Sequence, residues 1–177
     1  MTDSELAQAL REAAYLEGEF TLRSGKKSRY YLDKYLFETQ PTLLCELGKR
    51  FARYVHDGID RIAGAELGGI ALAAATSLET GKPFVIVRNS KKVGYGTGKL
   101  IEGKLEKGDR VLVVEDIATS GGQAIEALKA LADAGATVDR LVVAIDRQEG
   151  GRANVEEAGY RLESLFTSAD LGIARQP

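Results

Sequence analysis

Two adjacent carboxylates directly follow an apolar run in the middle of the 177-residue chain. The apolar run covers residues 111–114, and Glu115 and Asp116 come immediately after it. Paired carboxylates accept hydrogen bonds from hydroxyl groups such as a ribose 2′,3′-diol, and they also suit a hydrated Mg²⁺. This spacing predicts a site for a sugar, a metal ion or both.

The next seven residues carry small hydroxyl side chains and glycine: Ile117, Ala118, Thr119, Ser120, Gly121, Gly122 and Gln123. At the start of a helix, backbone N–H groups and the helix dipole bind a phosphate, and glycines allow its close approach. A capped helix after a tight turn is the plainer interpretation of this loop alone. The acidic pair favours the anion site, because ligands bind at the carboxyl ends of parallel strands. The nucleotide loops GxxxxGK[ST] and GxGxxG do not occur in the chain.

Apolar runs alternate with amphipathic patterns over the rest of the chain, which indicates strands alternating with helices. Because the central strands are continuously apolar, they belong to a sheet that is covered on both faces. The sequence predicts an α/β fold, with helices on both faces of a mainly parallel sheet. Strands are expected at 61–66, 83–87, 111–115, 141–145 and 160–166, and helices at 70–80, 122–134 and 152–158.

The N-terminal part carries a different pattern. A helix is expected from a cap at Ser4 to about Glu17, and strand-like stretches follow in residues 19–37 around a turn at Ser24 and Gly25. A further helix is expected from Pro41 to about Val55. We interpret residues 1–37 as a small cap on a single domain that covers residues 1–177.

The composition argues against several classes of protein. A net charge of −2 gives no basic face for nucleic acid or an acidic membrane. Cys45 is the single cysteine and His56 the single histidine, so neither an internal disulfide nor a Cys/His metal site is expected. The chain has no apolar stretch of membrane-spanning length and no basic N-terminal start, so we expect the cytoplasm.

Residues 111–123, VLVVEDIATSGGQ, resemble the phosphoribosyl pyrophosphate (PRPP) motif of type I phosphoribosyltransferases. Three more segments are similar to the orotate phosphoribosyltransferases of that family: GEFTLRSGKKSRYYLDKYLF (18–37), VRNSKKVGYGTGKLIEG (87–103) and AIDRQEGGR (144–152). The resemblance covers about residues 18–171. It implies the type I fold and a Mg²⁺-dependent glycosyltransferase that joins PRPP and orotate to give orotidine 5′-phosphate and pyrophosphate, in pyrimidine biosynthesis.

The resemblance also assigns the PRPP contacts. The acidic pair holds the ribose hydroxyls, and the loop from Ile117 to Gln123 holds the 5′-phosphate. Mg²⁺ enters with PRPP, and Glu115 and Asp116 are candidate ligands for it. The remaining PRPP contacts are Arg23, Arg88, Lys92 and Tyr95, of which the last three are assigned as catalytic.

Residues 88–104 resemble the mobile lid loop of the family. The segment is basic and contains four glycines, which suits a cover over a polyphosphate. In the family this lid closes over the neighbouring subunit's site, which implies a homodimer. Without the resemblance, a solvated charged loop would be the default interpretation.

The orotate contacts are assigned to Arg147, Thr119, Tyr30 and Tyr31. Arg147 follows the expected strand 141–145, so it lies at the ligand edge, and a guanidinium binds a carboxylate through two parallel hydrogen bonds. In the alternative interpretation, Arg147 pairs with Asp146 or Glu149 in a surface turn. The two tyrosines could equally serve to pack the cap.

The chain departs from the family pattern at three places. Asn89 stands where the family usually has lysine, the spacing from Arg88 to Tyr95 is one residue longer, and Gly68 stands where some members have lysine. Two other functions stay open: transfer to a different base, and a PRPP-binding regulator. Segments 18–37 and 146–151 disfavour the first, and the lack of a helix-turn-helix segment disfavours the second.

Overall fold

The computed structural model describes residues 1–21, 25, 27–90 and 98–173. None of the helices in these ranges is long and apolar enough to cross a membrane. The elements are, in order, α1 (Asp3–Ala14), β1 (Tyr15–Thr21), β2 (Lys27–Leu32), α2 (Tyr35–Glu38), α3 (Pro41–Ala52), β3 (Arg61–Ala65), α4 (Gly68–Thr80), β4 (Phe84–Val87), β5 (Ile101–Glu102), β6 (Arg110–Ala118), α5 (Gly122–Asp133), β7 (Thr137–Asp146), α6 (Gly151–Glu157) and β8 (Leu162–Thr167).

Six strands form the main sheet in the order β5-β4-β3-β6-β7-β8. Five of these strands, β4, β3, β6, β7 and β8, run parallel to one another. β5 pairs antiparallel with β4 at one edge of the sheet. β1 and β2 form a separate antiparallel hairpin. The expected α/β fold with a mainly parallel sheet is confirmed. The sequence pattern did not reveal the two short elements, α2 and β5.

The two faces of the sheet are covered by different helices, because alternate residues of a strand point to opposite faces. Leu112 and Val114 of β6 pack in a core shared with α1, α2, α3 and α4. Val111 and Val113 pack on the other face, where α5 contributes Leu128. Glu115 and Asp116 continue β6, which packs against α1 to α4 on one face and against α5 on the other.

The first helix begins and ends earlier than the sequence pattern suggests. Its N-cap is Thr2, not Ser4, because the Thr2 hydroxyl and the Glu5 carboxylate satisfy each other's backbone N–H groups. It ends at Ala14, not near Glu17, because Tyr15 pairs with β2 and stacks on Tyr30 with ring centroids 5.3 Å apart. The cap hairpin is thus longer than residues 19–37 suggested.

The strand that carries the acidic pair does not end at residue 115. β6 continues to Ala118, because Glu115, Ile117 and Ala118 extend the parallel pairing with β7. The acidic pair lies inside the strand, not beyond it.

Candidate active site

A cavity of about 690 Å³ opens at the carboxyl ends of β6 and β7. This is where ligands bind in open parallel sheets. The wall combines the end of β2, Lys34, the turn after β3, the end of β6, the start of α5 and the turn after β7. Of the residues assigned from the sequence, the wall includes Tyr31, Glu115, Asp116, Ile117, Ala118, Thr119, Ser120, Gly121, Gly122, Gln123 and Arg147.

The predicted phosphate loop spans the end of β6 and the start of α5, so that only residues 119–121 join the two elements, and these three are called the phosphate loop below. Gly121 has a φ of 79°, a left-handed conformation that glycine adopts without strain. Asn154 Nδ2 donates a hydrogen bond to Ser120 O at 2.9 Å, so α6 holds the loop in place. A β-carbon on Gly151 would lie 2.6 Å from Thr119 O, so this contact needs glycine. The first N–H groups of α5 have no partner within the helix, which makes this fixed loop suitable for a phosphate.

The acidic pair is not a pair of free carboxylates. Asp116 is 2% exposed, and its Oδ2 lies 2.7 Å from Lys34 Nζ. Burial lowers the pKa of Lys34, but the charge of Asp116, the hydrogen bond to Asp116 and the charge of Glu115 together outweigh burial and raise that pKa. Burial and the charge of Asp116 raise the pKa of Glu115 well above its ordinary value. The cap therefore supplies one cation to the acidic pair through Lys34.

A third carboxyl, Glu38 at the end of α2, lies against this pair. It is 4% exposed, and its Oε1 has no hydrogen-bond donor among the described residues. A β-carbon on Gly68 would overlap Asp116 Oδ2 and lie 2.7 Å from Glu38 Oε1, so both carboxyls converge over the start of α4. Burial and the charge of Asp116 raise the pKa of Glu38 to about 8. A protonated Glu38 can donate a hydrogen bond to Asp116.

Arg147 lies at the end of β7 and is held by its backbone N–H, which donates to Ala118 O at 2.9 Å. Its side chain is only 10% exposed, with Glu149 Oε1 at 2.8 Å and the Tyr30 hydroxyl at 3.2 Å from Nη2. Arg147 Nε is buried and has no partner among the described residues. An unpaired buried N–H is costly, so Nε favours a ligand that brings an acceptor.

The two adjacent tyrosines of β2 occupy different places. Tyr31 is 42% exposed and lines the cavity. Tyr30 is buried behind Arg147, whose guanidinium carbon lies 5.5 Å from the centre of the Tyr30 ring. The sequence assigned both to orotate, but the alternation of β2 separates them. Tyr30 supports Arg147, and Tyr31 faces the space where a ligand would lie.

The lid is described only at its two ends. Arg23, Lys92 and Tyr95, which the sequence assigned to PRPP, lie outside the described residues. Arg88 is described but does not belong to the cavity wall, and its Nε donates to Ser90 O at 3.4 Å.

Asn89 binds the turn after β3. Its backbone N–H donates to Glu66 Oε1 at 2.7 Å and its Nδ2 to Glu66 O at 3.2 Å. Glu66 itself lines the cavity. The residue that replaces the usual family lysine thus fixes the start of the lid to the cavity wall.

The described wall carries more negative than positive charge. Lys34 and Arg147 are its basic residues, against Glu66, Glu115, Asp116, Glu126 and Glu149. Within the described ranges, no group of three or more His, Cys, Asp or Glu side chains could hold a metal ion by itself. A polyanion that binds here needs cations from outside this wall.

Sequence reasoning missed Lys34 and Glu38. Lys34 belongs to the cap and Glu38 directly follows it, and both act on Asp116, which lies about 80 residues away along the chain. Lysine and glutamate are the commonest surface residues, so neither type signals burial. The one available hint is the acidic pair itself, because a buried carboxylate needs a partner.

Known proteins match this chain over most of its length. The family described as the phosphoribosyl transferase domain matches residues 39–162. The chain is 51% identical over 172 residues to the orotate phosphoribosyltransferase of Natronomonas pharaonis, covering 97% of this chain and 98% of that protein. It is 47% identical over 170 residues to the orotate phosphoribosyltransferase of Methanocella arvoryzae, covering 96% and 97%. The Mycobacterium tuberculosis orotate phosphoribosyltransferase, solved in complex with PRPP, matches with a TM-score of 0.81 and 31% identity, covering 97% of this chain and 99% of that one.

Proposed function

The chain belongs to the orotate phosphoribosyltransferase family, and we propose that its cavity binds PRPP along residues 115–123 and orotate at Arg147. N1 of orotate bonds to C1 of PRPP, the bond from C1 to pyrophosphate breaks, and orotidine 5′-phosphate forms. This nucleotide is the precursor of UMP, so the chain acts in pyrimidine biosynthesis. One observation carries the assignment of the substrates: the preformed phosphate loop and the buried Arg147 face one cavity.

Positioning supplies most of what these residues contribute to the reaction. The phosphate loop fixes the 5′-phosphate and the acidic pair fixes the ribose hydroxyls, so C1 is presented to N1 in a constant orientation. Thr119 is the first residue of the phosphate loop, directly after β6, and contacts both substrates. No side-chain nucleophile is required.

The leaving pyrophosphate requires cations that the described wall lacks. We assign them to Arg88, Lys92 and the lid, with Tyr95 and Arg23 as further contacts, and to Mg²⁺ carried by PRPP. Glu115 and Asp116 fit a Mg²⁺ bound mainly by PRPP oxygens and water, because Asp116 already pairs with Lys34. When bound, Mg²⁺ supplies positive charge to the leaving group.

A homodimer is supported by an apolar face on α4. Leu67 and Leu78 are 65% and 87% exposed, and Ala71 and Ala74 lie between them at helical spacing. Leu67 follows Glu66, a residue of the cavity wall. This exposed apolar face beside the cavity wall is where we propose that a second copy binds. The exposed thiol of Cys45 fits a reducing compartment, which supports a cytoplasmic location.

A panel of bases tests the proposed function. Orotate, uracil, hypoxanthine and adenine are each incubated with PRPP and Mg²⁺, and pyrophosphate release is measured. We expect turnover with orotate and none above background with the other three. Turnover with a purine would contradict the assignment of Arg147. Tight PRPP binding without turnover on any base would identify a regulator.

A further inference from the structure

The turn after β7 folds back into the cavity. Gln148 has a φ of 58° and is the one non-glycine residue with positive φ in the described part of the chain. Its backbone N–H donates to Asp146 Oδ1 at 2.7 Å, which closes the turn. Gly150 follows with a φ of 95° and is the N-cap residue of α6. A side chain held in an uncommon backbone conformation next to a ligand site is a reason to look for a function.

The result of this turn is that Glu149 reaches Arg147. Glu149 Oε1 lies 2.8 Å from Arg147 Nη2, and both side chains line the cavity. The two partners differ in exposure, because Glu149 is 43% exposed and Arg147 only 10%. Arg147 is fixed by its surroundings, whereas Glu149 can move into water. The pair that the sequence suggested for a surface turn therefore lies within the proposed base site.

We propose that Glu149 is an internal competitor for the substrate carboxylate, which holds Arg147 in the empty site and is displaced when orotate binds. The proposal rests on the proposed function, since Arg147 must be the carboxylate-binding residue. One carboxylate then replaces another at the same guanidinium, so the buried charge of Arg147 is paired in both states. The same exchange in reverse assists release of orotidine 5′-phosphate, which keeps the orotate carboxylate.

This role makes a prediction opposite to that of a structural role. If Glu149 competes, removing its charge tightens the binding of every ligand that carries the carboxylate. If Glu149 only orients Arg147, removing its charge weakens that binding. A neutral base such as uracil has no carboxylate to exchange, so its affinity does not depend on the charge of Glu149. PRPP binds at the other end of the cavity and is also unaffected.

Glu149→Gln is the variant of choice, because glutamine keeps the size and one acceptor oxygen while removing the charge. Equilibrium dissociation constants are measured for orotate, orotidine 5′-phosphate, uracil and PRPP. We expect orotate and orotidine 5′-phosphate to bind about two- to five-fold more tightly, the range that a partly exposed ion pair supplies. The dissociation rate of orotidine 5′-phosphate should fall by a similar factor. Glu157→Gln, the same change at an exposed position of α6, is the control and should alter none of these values.

A double-mutant cycle with Arg147→Ala separates the possible failures. Arg147→Ala should weaken orotate binding about tenfold or more, and adding Glu149→Gln should then have no further effect. If Arg147→Ala leaves orotate binding unchanged, the assignment of the base site is wrong. If Arg147→Ala weakens binding but Glu149→Gln alone leaves it unchanged or weakens it, only the competitor role is overturned.

Discussion

The two ends of the cavity are built in different ways. The PRPP end consists of consecutive residues, 115–123, which run from the last part of β6 through the phosphate loop into α5. The base end joins Arg147 of the β7 turn to Tyr30 of the cap, and these two lie 117 residues apart in the chain. Backbone groups dominate the first end, and charged side chains dominate the second.

This difference predicts how each end responds to change. The PRPP end is held by the sheet and by α6, so we expect it to be sensitive to an added negative charge and to tolerate the loss of one side chain. The base end depends on how the cap docks and on a single guanidinium. The cap contacts both ends, since Lys34 reaches Asp116 while Tyr30 reaches Arg147. The comparison can therefore be tested by changes that affect one end alone.

Gly122→Asp should give the largest difference between the effect on PRPP binding and the effect on orotate binding. A β-carbon on Gly122 meets nothing within 4 Å, and an acidic residue in the first turn of α5 favours the helix, so folding stability should not fall. The new carboxylate would repel the 5′-phosphate and weaken PRPP binding about 100-fold. Orotate affinity, measured by equilibrium titration, should stay within about two-fold. Gly122→Asn adds the same bulk without charge and is the matched control.

Leu78→Asp tests whether the PRPP end also needs a second copy. Leu78 is 87% exposed, so the change should not disturb the core. A charge on the apolar face of α4 should convert the dimer to monomer in analytical ultracentrifugation. Because the lid of the partner is then lost, kcat/KM for PRPP should fall about tenfold or more while orotate affinity is retained. A variant that stays dimeric would contradict the α4 interface, and a monomer with full activity would contradict the shared site. Leu78→Ala keeps the face apolar and should remain dimeric.

Glu38→Gln tests the junction of the cap with the acidic pair through its pH dependence. The folded pKa of Glu38 is about 8, above an ordinary value of 4.5, so the folded protein keeps a proton that the unfolded chain releases. The stability gained from this proton is present below pH 4.5 and is lost as the pH rises through about 8. Glutamine cannot lose a proton. The free energy of unfolding of the variant should therefore be about 1–3 kcal/mol higher than that of the parent at pH 9 and equal to it at pH 4. Urea unfolding at both pH values checks this, and a constant difference would argue against a protonated Glu38.

Tyr30→Phe should have the smallest effect and act on the base end alone. Phenylalanine keeps the ring beneath Arg147 and against Tyr15 but removes the hydroxyl that accepts from Arg147 Nη2. We expect KM for orotate to rise about three- to ten-fold, because one hydrogen bond that orients the guanidinium is lost. KM for PRPP should not change. An equal rise in both values would mean that Tyr30 supports the cap as a whole.

The contrast between an end built from consecutive residues and an end built from distant ones explains what could be predicted from the sequence. The phosphate loop is visible because its chemistry and its order along the chain coincide, from Glu115 to Gln123. The main strands are visible because they are continuously apolar. The extension of β6 to Ala118 was hidden, because acidic residues in a strand look like the start of a loop.

Contacts that cross the fold could not be predicted. Nothing in the sequence around Lys34 or Glu38 indicates that these side chains contact Asp116, because that contact depends on where the cap docks. Tyr30 and Tyr31 carry identical chemistry, and only the register of β2 decides which one lines the cavity. Arg147 was identified correctly as lying at the ligand edge, but its two suggested roles were treated as alternatives. In the structure its pairing with Glu149 occurs inside the cavity itself.

The division of the cavity into a PRPP end and a base end is tested most directly by Arg147→Ala in a steady-state assay with both substrates varied. We predict that KM for orotate rises about 100-fold, because the charged hydrogen bonds to its carboxylate are lost, while KM for PRPP stays within about two-fold. An unchanged KM for orotate would contradict the assignment of Arg147 as its carboxylate-binding residue.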